Sequence, residues 1–361
     1  MRGTHRILAM LFALFVLQLG SLIAPAYACG CGAMIPDRNQ HIGVDRESSA
    51  VRWDGRTEQI VMRFTVRGTA ERAAWIMPVP GRADVELGDA ELFDELEQLT
   101  RPEHKDRHYF WPRGKDWPFT DGDVDGAGAA PPRAGAVGVV GRERLGPFDV
   151  ARLTATDPKA LSGWLEKNGF ELSDGLAAEL QPYVEQKWEY VAVRLVPDAD
   201  GTTLRGELDP LRISFASERL IYPMRLSRLA RTPQSLGLYV LADHRMEPRD
   251  GIGGQAPEVT FAGPVEPEGA VAELIGGDEP VYLTAIDQSF PFPSRIDGDH
   301  ELTPAASDTP YREVVYHDRI LTVSGGIPVW FLTVAGVLLA VVGWAVAAHV
   351  RRRRRGARPA A

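Results

Sequence analysis

Twenty-four consecutive residues, 327–350, contain no Asp, Glu, Lys or Arg, and five arginines (351–355) follow them directly. As a helix the apolar run is about 36 Å long, enough to cross a bilayer with some tilt. Trp330 and Trp344 lie near its two ends, roughly where an aromatic belt would stand. A buried core helix would have no use for the arginine block. That block holds the C-terminus in the cytoplasm by the positive-inside rule, so the chain before the helix faces outward.

The opposite end carries a shorter apolar run. Arg2 and Arg6 precede eleven apolar residues, 7–17, and Ala26-Tyr27-Ala28 has the small-x-small pattern after which signal peptidase cuts. Residues 1–28 therefore read as a secretory signal peptide, the run being short for a first membrane-spanning helix. Cleavage places Cys29 at the new N-terminus, which opens a third reading, an acylated lipoprotein cysteine. Ala26 beside the bulky Tyr27 departs from the leucine usual at such sites, and a second anchor would be redundant. The expected organisation is a signal peptide (1–28), an exported body (29–326), a transmembrane helix (327–350) and a basic cytoplasmic tail (351–361). Eleven residues are too few for a cytoplasmic domain, so the work of this chain is done outside.

Charge sharpens the picture. The chain of 361 residues has 49 acids against 40 bases, a net of −9. Eight of those bases are arginines in the leader and in residues 327–361, neither of which holds an acid; the body keeps 32 bases against 49 acids, a net of −17. Such a body is a poor nucleic-acid partner. Two cysteines in all exclude a disulfide framework and a multi-cysteine zinc or iron–sulfur site.

Within the body, Ile60, Met62, Phe64 and Val66 alternate with Val61, Arg63 and Thr65, the period of a half-buried strand. The Asp54-Gly55 step before them marks a hairpin with residues 51–53. Residues 74–80 form an apolar strand, and 89–99 an amphipathic helix with Leu92, Phe93, Leu96 and Leu99 on one face. Asp157-Pro158 opens a helix bearing Leu161, Trp164 and Leu165, which Asn168-Gly169 stops. Ser173 caps another, with a kink or break expected at Pro182. Strands are expected at 148–153, 188–196, 212–215, 221–226, 236–241, 272–275, 281–286 and 313–323, a loop at 243–270, and an irregular Gly/Pro-rich insertion at about 101–147. The fold class that follows is α+β: antiparallel-rich sheets with a few helices in the exported body, plus one C-terminal transmembrane helix.

Candidate chemistry is sparse. Cys29 and Cys31 lie in an oxidising space and invite disulfide pairing, within the chain or between chains; a two-thiolate copper or zinc site lacks further ligands nearby. Asp121, Asp123 and Asp125, with Gly122 and Gly126, reproduce the first half of a calcium loop, although Pro132 stands where the bidentate Glu belongs; an acidic linker is the competing reading. His104 and His108 would share a helix face and could bind zinc, without the glutamate of a metalloprotease motif; the competing reading is a solvated, charged loop. Tyr109, Phe110, Trp111, Trp117 and Phe119 concentrate aromatic surface, of which Tyr109, Trp111 and Trp117 are the candidate ligand contacts; the same rings could instead pin the insertion to the body. No nucleophile elbow, phosphate loop or dinucleotide fingerprint is present, and no catalytic residue is assigned.

Several elements together resemble a bacterial family of proteins, the domain-of-unknown-function family 2330: Cys29-Gly30-Cys31, the Asp54-Gly55 hairpin, residues 74–80, residues 157–170 with Trp164, Asn168 and Gly169, the 188–195 strand, residues 211–215, and Tyr222-Pro223-Met224-Arg225. The resemblance covers most of residues 29–320. It implies an exported, often membrane-tethered protein with no assigned activity and supplies no catalytic residue; residues 120–147 resemble variable territory. The expectation is a membrane-anchored, outward-facing binding or structural module of the cell envelope, with an envelope ligand or protein as partner and no cofactor other than a candidate calcium. The alternative is an exported metal-assisted enzyme using residues 103–126.

Overall fold

The computed structural model describes residues 32–37, 40–117, 149–154, 158–195 and 203–356. In chain order the elements are β1 (Ala33–Pro36), β2 (Ile42–Trp53), β3 (Thr57–Gly68), β4 (Ala73–Val79), β5 (Ala83–Leu87), α1 (Leu92–Leu99), β6 (Glu103–Tyr109) and β7 (Asp149–Thr154). There follow α2 (Pro158–Lys167), α3 (Asp174–Glu185), β8 (Glu189–Leu195), β9 (Gly206–Glu207), β10 (Leu211–Ala216), β11 (Leu220–Tyr222), β12 (Gln234–Ala242) and β13 (Met246–Pro248). The last are β14 (Glu258–Val265), α4 (Gly269–Ile275), β15 (Val281–Phe290), β16 (His300–Pro304), β17 (Tyr311–Arg312), β18 (Val314–Ile320) and α5 (Val329–Gly356). They divide into two units, residues 32–101 with 149–313 and residues 102–117 with 314–356.

The first unit is built on a nine-stranded sheet ordered β17-β14-β15-β12-β2-β3-β10-β5, with β9 added on β3. Every pairing in it is antiparallel except β12 with β2. The fold is thus α+β with antiparallel-rich sheets. The β2–β3 hairpin closes at Asp54, whose carboxylate accepts the Arg56 and Thr57 N–H groups at 2.9 and 2.7 Å. The Thr57 bond, joined by that from Arg56, holds the Asp54 pKa below its usual value. Gly55 takes φ +87°, a left-handed turn conformation that glycine adopts without a Cβ penalty.

A four-stranded sheet, β1-β4-β8-β7, packs over one face of the large sheet. β4 is buried on both faces, and that is why Ala73–Val79 reads as an unbroken apolar run rather than an alternation. Trp75 stands opposite Met34 and Val193 and faces the space between the sheets, packed on Phe64 at 5.7 Å between ring centroids. Ile76, opposite Ala33 and Ala192, faces the other way, where α2 and α3 supply Leu161, Leu165, Leu176, Leu180 and Tyr183. On the outer face of the large sheet, Ala50, Val61, Leu241 and Leu283 pack against Leu92, Phe93 and Leu96 of α1 and Val271 and Leu274 of α4. The unit is therefore four layers deep: helices, small sheet, large sheet, helices. Glu95 of α1 joins the outer helices by accepting the Ala270 and Val271 N–H groups at the start of α4. A further sheet, β11-β16-β13, closes the inter-sheet core with Leu220, Tyr222, Met246 and Leu302.

Several expectations change. Residues 272–275 lie in a helix rather than a strand, since Ala270, Val271 and Leu274 follow the helical spacing and are buried together. The expected loop at 243–270 contains β13 and β14. Pro182 neither ends nor divides α3, which runs on to Glu185 while the adjacent Tyr183 is fully buried and donates to Asp299 at 2.7 Å. The expected strand at 221–226 stops at Tyr222 and gives way to a 3-10 turn, Arg225–Leu229. Within the expected irregular insertion, Glu103–Tyr109 is a strand. In the second unit, α5 contains a span, Val329–Arg353, long and apolar enough to cross a membrane.

Candidate functional site

Of the residues singled out from sequence, the second unit holds His104, His108, Tyr109, Trp111 and Trp117. β6 pairs with β18 in parallel register, from Glu103 opposite Val314 to Tyr109 opposite Ile320. Six of the seven β6 residues are exposed, so this ribbon has no hydrophobic core, and the alternation that would mark a strand in sequence is missing. Charge pairs help to join the strands alongside the backbone bonds. Arg107 grips Asp318 with two hydrogen bonds, 2.7 and 3.1 Å, and lies over the Tyr316 ring. The Arg107 bond holds the Asp318 carboxyl below its ordinary pKa. Arg319 meets Asp106 at 3.0 Å.

His104 and His108 are close only in sequence. On a strand, residues four apart share a face but stand about 13 Å from one another. The structure pairs His104 instead with His317, Nδ1 to Nε2 at 2.8 Å, with the rings stacked at 5.0 Å. One of these nitrogens donates and the other accepts. No group of three or more His, Cys, Asp or Glu side chains placed to hold a metal occurs among the described residues. Asp121, Asp123, Asp125, Cys29 and Cys31 lie outside the described residues, as do residues 1–28.

The three candidate aromatic contacts separate into two roles. Tyr109 is committed to its own turn: its hydroxyl donates to Asp116 Oδ2, and Arg113 lies 4.6 Å above its ring. The same Asp116 oxygen accepts the Arg113 N–H at 2.9 Å, bracketing the 3-10 turn Gly114–Asp116. The phenol bond lowers the Asp116 pKa and raises that of Tyr109. Trp111 and Trp117 keep large exposed faces, 60% and 47%. Trp111 meets Phe110 edge-on, and Trp117 packs on Trp330 in the first turn of α5, 5.5 Å between centroids.

The first unit contains a polar constellation that the sequence reading missed. Between its two sheets, Tyr222 donates to Glu47 and lies 2.5 Å from the Ser49 hydroxyl, with all three residues at most 1% exposed. A bulge in β2 between Val44 and Arg46 puts them there. Ile42 and Val44 face the inter-sheet core, and the extra residue turns Glu47, Ser49 and Val51 to that side instead of Arg46, Ser48 and Ala50. One row along, Leu236 stands between Glu47 and Gln288. Gln288 donates to the Gly253 and Gln255 carbonyls, so its oxygen accepts from His300 Nε2 at 2.6 Å. The other His300 nitrogen is buried without a partner, and burial pushes the imidazole pKa down to about 4. Glu58, fully buried, accepts the Ile221 N–H at 3.2 Å, and desolvation drives its pKa well above the carboxylate range. All of these groups are buried from solvent. Their observable work is to register β11 and β16 on the large sheet, because each would be costly left unpaired. The signal for them was the pair of polar inward positions, Glu47 and Ser49, in a strand otherwise apolar on that face; without knowledge of the bulge they read as outward.

Comparison with known proteins adds the following. The solved structure of baculovirus P35 aligns with 76% of this chain and 97% of its own, at 9% identity and a TM-score of 0.31, too distant to inform fold or function. No curated protein matches the chain. A family model does match, over residues 25–303, and by that match the chain belongs to DUF2330, a family described as uncharacterized protein conserved in bacteria.

Proposed function

We propose that this protein is a single-pass, outward-facing module of the bacterial cell envelope that binds or braces an envelope component. The observation that carries the reading is α5: its apolar window is 0% buried within the protein, and five arginines follow residue 350. An exposed apolar helix of that length calls for a lipid environment, and the arginines favour a cytoplasmic C-terminus. Residues 1–28 then direct export, and the body at −17 works outside. The ligand face in this reading is the 109–117 segment, with Trp111 and Trp117 as its exposed rings.

Carbonate extraction and protease protection of cells carrying a C-terminal tag test the topology. The expected result is a carbonate-resistant protein whose body is digested from outside while the tag survives. Release by carbonate, or loss of the tag to external protease, overturns the reading. The alternative of a metal-assisted exported enzyme requires ligands beyond the His104–His317 pair; a stoichiometric metal retained by the purified chain would favour it over the binding reading.

A further inference from the structure

We infer that residues 110–117 form a second membrane-interface element, seating Trp111 and Trp117 among the lipid headgroups of the bilayer that holds α5; this rests on the single-pass reading above. From Val329 to the first arginine at 351, α5 is about 33 Å long, close to the hydrocarbon thickness of a bilayer. Its first turn, with Trp330 and Phe331, therefore stands at the outer edge of the hydrocarbon. The ribbon is fastened to that turn without a free linker. Leu321 N–H donates to the Tyr109 carbonyl at 2.9 Å, and Val329 N–H donates to the Leu321 carbonyl at 2.9 Å. The intervening residues fold into a tight turn, with Val323 N–H bonded to the Ile327 carbonyl at 3.0 Å and both Gly325 and Gly326 at left-handed φ. Trp117 on Trp330 adds a side-chain contact to these backbone ties.

The level of the 110–117 segment is thus set by the helix. Around that level the unit exposes Trp111, Trp117, Leu321, Val323, Ile327 and Phe331. Tryptophan, with a flat apolar body and one N–H donor, favours the headgroup zone over both water and hydrocarbon. Arg113, two-thirds exposed, offers a guanidinium beside the two tryptophans in sequence, where lipid phosphate would accept its remaining donors. A soluble sugar or peptide would have to displace headgroups to reach the same rings, so the occupant is the lipid surface itself.

The test uses the full chain labelled with fluorotryptophan in phosphatidylcholine vesicles, read by fluorine NMR. Trp→Phe variants at 111, 117, 330 and 344 assign the resonances. One vesicle set carries a gadolinium-bearing headgroup lipid, and another a nitroxide at mid-chain. The expected result is loss of the Trp111 and Trp117 resonances with the headgroup probe, matching the loss at Trp330, while Trp344, about 22 Å along α5 from Val329 and so inside the hydrocarbon, is lost with the mid-chain probe. If Trp344 responds to the mid-chain probe but Trp111 and Trp117 keep their intensity with the headgroup probe, the inference is wrong and the anchoring reading stands. If Trp344 responds to neither, anchoring itself fails and takes the inference with it.

Discussion

Acidification should draw on the buried imidazole of His300, which sets a definite share of the pH dependence of stability. In the unfolded chain that imidazole titrates near 6.5; in the folded protein burial lowers the value to about 4. Between these two pH values the unfolded chain holds the proton and the folded chain does not. Stability therefore rises with pH across the window, is complete above about pH 6.5, and falls as the solution is acidified toward about pH 4. Each pH unit of that window corresponds to about 1.4 kcal/mol, so the share of His300 is about 3 kcal/mol. The assay is urea unfolding of the detergent-solubilised chain at several pH values, for the natural protein and His300→Gln. Glutamine can still donate to Gln288 but does not titrate, so subtracting the two curves cancels every other titrating group. The difference should change by about 3 kcal/mol between about pH 7 and about pH 4, with the natural protein losing more. Two parallel curves would refute the reasoning, by showing that His300 titrates in the fold as it does in the unfolded chain.

Further outcomes follow from the same core. Glu58 has its folded pKa raised, so its contribution is present below its unfolded value near 4.5 and is lost as pH rises; Glu58→Gln should raise the melting temperature at neutral pH, with the gain shrinking toward acid, and thermal melts across pH check this. Tyr222→Phe removes the hydroxyl that Glu47 and Ser49 both contact and should cost about 1–3 kcal/mol in urea unfolding. Trp75→Ala opens a cavity between the two sheets and should cost about 3–5 kcal/mol by the same measurement, the largest loss among these substitutions.

Most elements of the first unit were legible because local chemistry and tertiary context agree in them. The Asp54 turn, the Ser173 cap with its bond from Leu176 N–H at 3.3 Å, and the apolar stripe of α1 each depend on neighbours in sequence. The misses are positions where context decides. β6 has no apolar alternation because neither face is covered, and it is a strand only because β18, two hundred residues later in the chain, lies beside it. α4 is seven residues long, too short for its period to exclude a strand, and its start is held by Glu95 from another helix. Among the candidate site residues, Trp111 and Trp117 are exposed, with Trp117 also packed on Trp330, whereas His104 finds a partner 213 residues away instead of His108.

By itself, then, the sequence determined an apolar membrane-length helix closed by arginines, because length and charge need no partner to be read. It also determined the main hairpin and the alternating strands, whose periods are properties of the backbone. The tertiary structure alone decided which way the polar residues of β2 point. One extra residue between Val44 and Arg46 reverses the faces of the strand, and Tyr222, 175 residues beyond Glu47, helps to satisfy the inward carboxyl. Likewise, only the folded ribbon brings Trp117 onto Trp330, joining the aromatic segment to the start of the helix that the sequence had already declared.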